Sequence, residues 1–325
     1  MNTLKKNYCG AAIVLFLLAI PTAGQGEYNM QSQANKLRSQ SMTFEFDIPY
    51  AGTDNPRQCL DIYLPKQPKS DKLPVVVFIH GGAWLEGDKS NGTAPLKPFV
   101  RSGKYAGVSV GYRLSSEAIW PAQIHDCKAA IRWVRAHSDK YKLDPDRIAV
   151  WGRSAGAHLA LMLGVSSDTP KLEGDIGAYD DFSSKVSGVA NFFGPTDLVA
   201  MANQSSDMNH NQAQSPEGLL IGGAIHDNIE KARAASPITY ITPNDVPVLT
   251  IHGDADPTVP YAQAVLLDKA LSKAGVPSYF ISVIGGGHGG FPDEAIDRTE
   301  DFFSKVLLDE QVDTSTKPLN QTESN

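Results

Sequence analysis

One serine, one histidine and one aspartate stand in this chain at positions where acyl transfer needs them. Gly152-Arg153-Ser154-Ala155-Gly156 follows a short apolar run, 147–151, and leads straight into an apolar helical stretch, 155–164. So tight a strand-to-helix turn leaves no room for bulk two residues before or after the serine, and glycine occupies both places. The Ser154 hydroxyl is then exposed on a strained elbow at a helix N-terminus, where developing negative charge is favoured. A hydroxyl is a weak nucleophile until a base takes its proton. His288, in Gly285-Gly286-Gly287-His288-Gly289-Gly290, follows the last strand-like run, 279–284, where such a base is expected. The supporting acid should follow the preceding strand. His252-Gly253-Asp254-Ala255-Asp256-Pro257-Thr258-Val259-Pro260 offers two aspartates there. Asp256 is preferred, because the proline-braced turn behind it can hold its carboxylate toward the histidine loop. Asp254 is left to stabilise the turn itself.

Acyl transfer also needs donors aimed at the oxyanion. His80-Gly81-Gly82-Ala83-Trp84 follows the β-branched run 75–79, the strand after which those donors are expected. The N–H groups of Gly81 and Gly82, with that of Ala155, are assigned to this role, each typically worth about 3 kcal/mol of barrier. Trp84, Arg153 and Asp197 are expected around the substrate. Trp84 would equally serve to pack the loop down, and Arg153 meets either an anionic or sugar substrate or a neighbouring carboxylate. The remaining histidines have plainer readings. His158, one turn beyond Ser154 on the same rigid helix, is a packing residue. His80 and His252 end buried strands, and His125, His137, His210 and His226 lie on helices or in a cap.

The elements that must position these groups alternate strand and helix. Strand patterns cover 43–48, 60–64, 75–79, 107–112, 147–151, 186–193, 246–251 and 279–284. Helical patterns open at Pro121 and cover 155–164, 261–273 and 293–308. This order predicts an α/β fold, a mostly parallel central sheet with helices on both faces. Residues 195–243 contain no good strand. They read as a small helical cap insertion, with a helix around 218–225 helping to shape the pocket.

With these motifs in order, the chain resembles the esterase/lipase branch of the α/β-hydrolases, and most closely the Bacteroidales-type feruloyl esterase and acetyl-xylan esterase group. The resemblance runs over residues 60–308. Beyond the four motifs above it includes Gly87-Asp88-Lys89, Tyr112-Arg113-Leu114, Pro121-Ala122-Gln123 with Asp126, Asp144-Pro145-Asp146-Arg147-Ile148, and 194–198. It implies an α/β-hydrolase fold, Ser154, Asp256 and His288 as a triad, no cofactor or metal, and an ester with a small or aromatic acyl group on plant-derived carbohydrate. The chain departs from it at Ala83, where a third glycine is frequent, and at Arg153, where an acidic residue or glutamine often stands.

Residues 1–26 read as an export signal: Lys5 and Lys6, an apolar run over 11–20, then small residues near Gly24. That run is too short to span a bilayer, which takes about 20 apolar residues, so stable membrane insertion is not expected. Residues 27–41 read as a flexible arm, 42–309 as the catalytic domain and 310–325 as a disordered tail. A net charge of −7, without basic clusters past the start, argues against nucleic acid as a partner. Cys59 and Cys127 are expected as two separate thiols. Prolyl-oligopeptidase-type peptidases share the HGxxDxxVP segment, but about 60 residues before the core strands cannot build their propeller. Formamidase-like amidases share the HGGxW loop but act in the cytosol, against the export signal. A catalytically dead binding module would lack the serine or histidine. The remaining expectation is an exported serine carboxylesterase acting on a small-molecule or polysaccharide-linked ester.

Overall fold

In a computed structural model of the chain, residues 41–321 are described. The export signal expected over 1–26 and the arm up to residue 40 lie outside the described residues. An antiparallel pair comes first, β1 (Met42–Pro49) with β2 (Cys59–Pro65). There follow β3 (Leu73–Ile79), α1 (Thr93–Arg101), β4 (Ala106–Val110), α2 (Ala122–Ala136), α3 (Ser138–Tyr141), β5 (Leu143–Arg153) and α4 (Ala155–Val165). After β6 (Gly188–Phe192) come the short helices α5 (Leu198–Met201), α6 (Pro216–Ile221) and α7 (Ile229–Ala234). The chain closes with β7 (Val248–Gly253), α8 (Ala262–Ala274), β8 (Ser278–Ile284), α9 (Glu294–Leu308) and β9 (Leu319–Asn320).

The sheet runs β1-β2-β4-β3-β5-β6-β7-β8-β9. All pairings from β4 to β9 are parallel, and β2 meets β4 antiparallel. Every residue of β3 is buried, as an unbroken apolar run requires of a strand covered on both faces. The pleat divides it. Val75, Val77 and Ile79 join a cluster with Ile124, Leu159 and Leu267 of α2, α4 and α8, whereas Val76 and Phe78 join Phe99 and Phe302 of α1 and α9. Strand order reverses at β3. The loops following β3, β5, β7 and β8 therefore open at the carboxyl ends of the strands, beside a topological switch point where ligands bind in such sheets.

Besides the four-residue helix α3, helix α1 and strand β9 escape the sequence reading. Helix α1 carries Pro98 in its interior, which removes a backbone donor and argues locally against a helix. Burial of Leu96, Phe99 and Val100 outweighs that loss. The tail expected to be disordered adds β9 to the sheet edge, pairing Leu319 with Val283 and Asn320 with Ile284. Its composition is polar, but Leu319 is buried, and one well-placed apolar side chain in a sheet slot overrides composition. The insertion before β7 is helical, with α6 close to the helix expected around 218–225. It is tied to the body where Trp120 donates from its backbone N to Leu220 O at 2.8 Å and from Nε1 to Ala234 O at 3.1 Å. Cys59 and Cys127 are both free thiols.

Phe302 is fully buried between α9 and the sheet, so Phe302→Ala should cost about 3–5 kcal/mol. Thermal unfolding should fall by roughly 10 °C, and a drop under about 3 °C would contradict this packing.

Candidate active site

The elbow begins with a clash avoided. A Cβ on Gly156 would lie 2.1 Å from Ile79 O and 2.4 Å from His80 O, so the start of α4 sits directly on the end of β3. The same approach brings Gly81 against the elbow, where a Cβ would lie 2.7 Å from Arg153 O. Between the two, Ser154 is held at φ 53° and ψ −124°, a conformation that costs on the order of 1–3 kcal/mol for a residue with a Cβ. Its N–H donates to Phe192 O at 2.9 Å, fixing the turn to β6.

Ser154 Oγ lies 3.0 Å from His288 Nε2, and His288 Nδ1 lies 2.8 Å from Asp256 Oδ2. With the Nδ1 proton donated to the carboxylate, Nε2 offers its lone pair to the serine hydroxyl. Asp256 Oδ1 accepts from the backbone N of Thr258 at 2.8 Å and of Val259 at 3.0 Å. His252, which donates from Nε2 to Val259 O at 2.9 Å, also stands 3.2 Å from Asp256 Oδ2. Burial opposes ionisation of Asp256, but hydrogen bonds from His252 and His288 outweigh it and hold the carboxyl well below the usual carboxylate range. Asp254 takes the turn-stabilising part: its Oδ1 accepts Gly285 N at 2.7 Å, joining the acid loop to the histidine loop. From beyond β9, Gln321 donates to Gly290 O at 2.7 Å on the far side of that loop.

Opposite the histidine, Gly82 O accepts both Leu85 N at 2.9 Å and Glu86 N at 3.0 Å. Gly82, Ala83 and Trp84 follow one another at φ 113°, 56° and 57°. Among the described residues the N–H groups of Gly81 and Gly82 make no turn hydrogen bond, and Ala155 opens α4, where N–H groups have no intrahelical acceptor. Gly81, Gly82, Ser154 and His288 border one open cleft of about 840 Å³. The loop is braced from behind by His80, stacked on Tyr112 at 4.3 Å and donating from Nδ1 to Gly81 O at 2.8 Å. Burial pushes the His80 imidazole down to about 4.

The expected pocket residues divide three ways. Trp84 is 1% exposed. It packs the loop against the edge of His158, 5.1 Å away, and walls a recess of about 50 Å³ on the far side of Ser154 with Met208, Glu217 and Val259. Arg153 borders the open cleft, its guanidinium over Trp151 at 5.2 Å and Phe192 at 5.8 Å. No neighbouring carboxylate pairs with it among the described residues. Asp197 does not line either space that borders Ser154. It is the N-cap of α5, its Oδ1 accepting Ala200 N at 3.0 Å. His158 packs, as expected: its Nε2 donates to Ala235 O at 2.6 Å, and complete burial pushes it down to about 4. Sequence reasoning missed Phe193, whose ring centre is 4.6 Å from that of His288, and the contact of His252 with Asp256. Aromatics after a strand carry no chemical signature, and His252 looked like any strand-ending histidine.

The BD-FAE family model matches residues 60–271. The chain belongs to the BD-FAE family. Among curated relatives, Esterase LipQ of Mycobacterium tuberculosis is 32% identical over 246 residues, 75% of this chain and 56% of that protein. Esterase LipC of the same organism is 33% identical over 73% of this chain and 58% of its own length. The chain thus spans less than two thirds of these relatives. Among solved structures, a truncated carbohydrate esterase from gut microbiota is 36% identical with a TM-score of 0.77, covering 82% of this chain and 96% of that one. A bifunctional GH43-CE protein of Bacteroides eggerthii is 39% identical with a TM-score of 0.76, over 81% of this chain and 35% of its own. The fold of this BD-FAE member is accordingly that of the α/β-hydrolase esterases.

His80 and His158 resist protonation in the fold, whereas in the unfolded chain they titrate near the ordinary 6.5. Between pH 6.5 and 4 the unfolded state therefore binds protons that the folded state refuses. Stability should fall as pH drops through that window, by up to about 3 kcal/mol per histidine. Asp256 acts in the same direction only at lower pH, since its stabilising charge is lost below the ordinary carboxylate range. Thermal midpoints measured at pH 7 and 4.5 should diverge more in the wild type than in His158→Gln; equal slopes would contradict a neutral, buried His158.

Proposed function

We propose that this chain is an exported serine carboxylic-ester hydrolase that removes small acyl groups from carbohydrate esters. The single observation that carries this reading is the relay of 3.0 Å from Ser154 to His288 and 2.8 Å from His288 to Asp256, facing the Gly81–Gly82 loop across one cleft. Ser154 Oγ attacks the ester carbonyl as its proton passes to His288 Nε2, and the oxyanion is held by the N–H groups of Gly81, Gly82 and Ala155. The imidazolium, steadied by ionised Asp256, protonates the departing alkoxide and leaves an acyl-serine. Water then gives its proton to His288, attacks the acyl carbon and releases the acid, restoring Ser154.

The recess of about 50 Å³ beside Ser154 has room for only a few waters at about 10–15 Å³ each, and this supports acetyl over feruloyl as the acyl group. The alcohol then occupies the open cleft. Solved relatives described as carbohydrate esterases support a sugar there, and the signal pattern over 1–26 supports export toward substrates that cannot enter a cell.

A chromogenic panel of acetate, butyrate, octanoate and ferulate, with acetylated xylan and a prolyl peptide, tests the reading. Acetate should lead. Ser154→Ala should lower kcat by about 10⁴–10⁶, and Asp256→Asn by about 10⁴. A folded wild type inert on every ester would refute ester hydrolysis, and cleavage of the peptide alone would replace it with a peptidase.

A further inference from the structure

Arg153 stands next to Ser154 with a charge that no protein group answers. Among the described residues its guanidinium has no hydrogen bond and no ion pair, and its Nε is buried without a partner. Trp151 and Phe192, whose ring centres are 5.2 Å apart, lie together on one side of it. A contact with aromatic rings attracts the charge of a guanidinium but gives its N–H groups no acceptor. Burial lowers its pKa, and no nearby carboxylate raises it again.

The other deeply set cations are answered by protein acceptors: Arg135, without an ion pair, donates to Pro145 O at 2.9 Å and Lys185 O at 2.8 Å. Lys128 pairs with Glu173 at 2.6 Å, Arg132 with Glu173 at 3.2 Å, Arg113 with Asp126 at 2.8 Å and Lys89 with Asp47 at 2.6 Å. Glu86 and Asp293 border the same spaces as Arg153, but neither forms an ion pair with it. Partial burial of an unpaired charge is unfavourable within the folded chain, and a ligand can supply the missing acceptor.

We propose that Arg153 is the binding site for a carboxylate carried on the alcohol portion of the substrate, which makes the preferred ester one of an acidic, uronate-bearing carbohydrate. The inference rests on the ester-hydrolase reading for the placement of acyl and alcohol. Arg153 borders the open cleft with Ser154 and His288, and a side recess of about 190 Å³ between Phe193 and Phe291. It is absent from the small recess assigned to the acyl group. A carboxylate is planar and accepts two parallel N–H bonds, matching the guanidinium fork; a neutral sugar hydroxyl does not.

The test compares acetylated methyl glucuronoside with its uronamide, which is neutral and nearly the same shape. Wild type should favour the uronate at least about tenfold in kcat/KM, equivalent to about 1.4 kcal/mol. Calorimetric binding to Ser154→Ala, which needs no turnover, should show the same preference. Arg153→Met should bring the ratio close to one, and Arg153→Lys, which keeps the charge but loses the fork, should leave an intermediate ratio. Thermal midpoints report whether each variant is folded, and the lysine variant keeps the comparison decisive where the methionine variant fails to fold. A wild-type ratio within twofold overturns the inference while leaving the hydrolase reading in place. So does a preference that survives Arg153→Met, or a loss in the variants confined to feruloyl over acetyl esters, which would mark aromatic stacking instead. Uronate-selective binding without turnover of any ester retains the Arg153 site and refutes the hydrolase reading.

Discussion

The start of helix α4 touches the end of strand β3 with nothing between them but backbone, and the arrangement of the site follows from that contact. Gly156 has no space for a Cβ against Ile79 and His80. Because the helix sits so low, the chain must reverse within one residue, and Ser154 absorbs the reversal in a left-handed conformation. The strain is tolerated because it is over-determined: β5 is locked between β3 and β6, α4 is entirely buried, and Ser154 N is bonded to Phe192. The same low seating brings the Gly81–Gly82 loop alongside the serine. The Ser154 hydroxyl and the Gly81 and Gly82 N–H groups are thus brought to one cleft by one packing constraint.

Burial sorts the histidines of this region into different tasks. His80 and His158 are enclosed with at most a carbonyl acceptor, so they stay neutral and act as packing pieces, one behind the donor loop and one between Trp84 and the cap. His288 is a quarter exposed and faces Asp256 on one side and Ser154 on the other. His252 works on the carboxylate itself. Two imidazoles and two backbone N–H groups converge on Asp256, and this keeps it ionised in spite of burial. Arg153 departs from the general pattern of matched charge, and for that reason draws the reading toward what the cleft receives.

Much of the fold and the site was legible in the residue order. Eight of the strands stand where alternating or unbroken apolar runs put them, because burial on two faces leaves few residue types to choose from. The elbow, the histidine loop and the choice of Asp256 over Asp254 were readable for a similar reason, since turn geometry restricts composition. Helix α1, strand β9 and the capping role of Asp197 were not. In α1 and β9 a local rule about proline or polarity was overruled by partners far away in the sequence, whereas Asp197 caps its own short helix three residues on.

The sequence by itself determined the class of fold, the order of its elements and which serine, histidine and aspartate meet, since these depend on periodicity and on the steric demands of tight turns. Only the tertiary structure decided that Asp256 is shared between two histidines, that Trp84 forms a wall as well as a wedge, and that Arg153 has no counter-ion among the described residues. Such properties are relations between surfaces brought together by folding. Whether a charge is answered depends on what lies within a few ångströms of it in space, and neighbours along the chain do not reveal that.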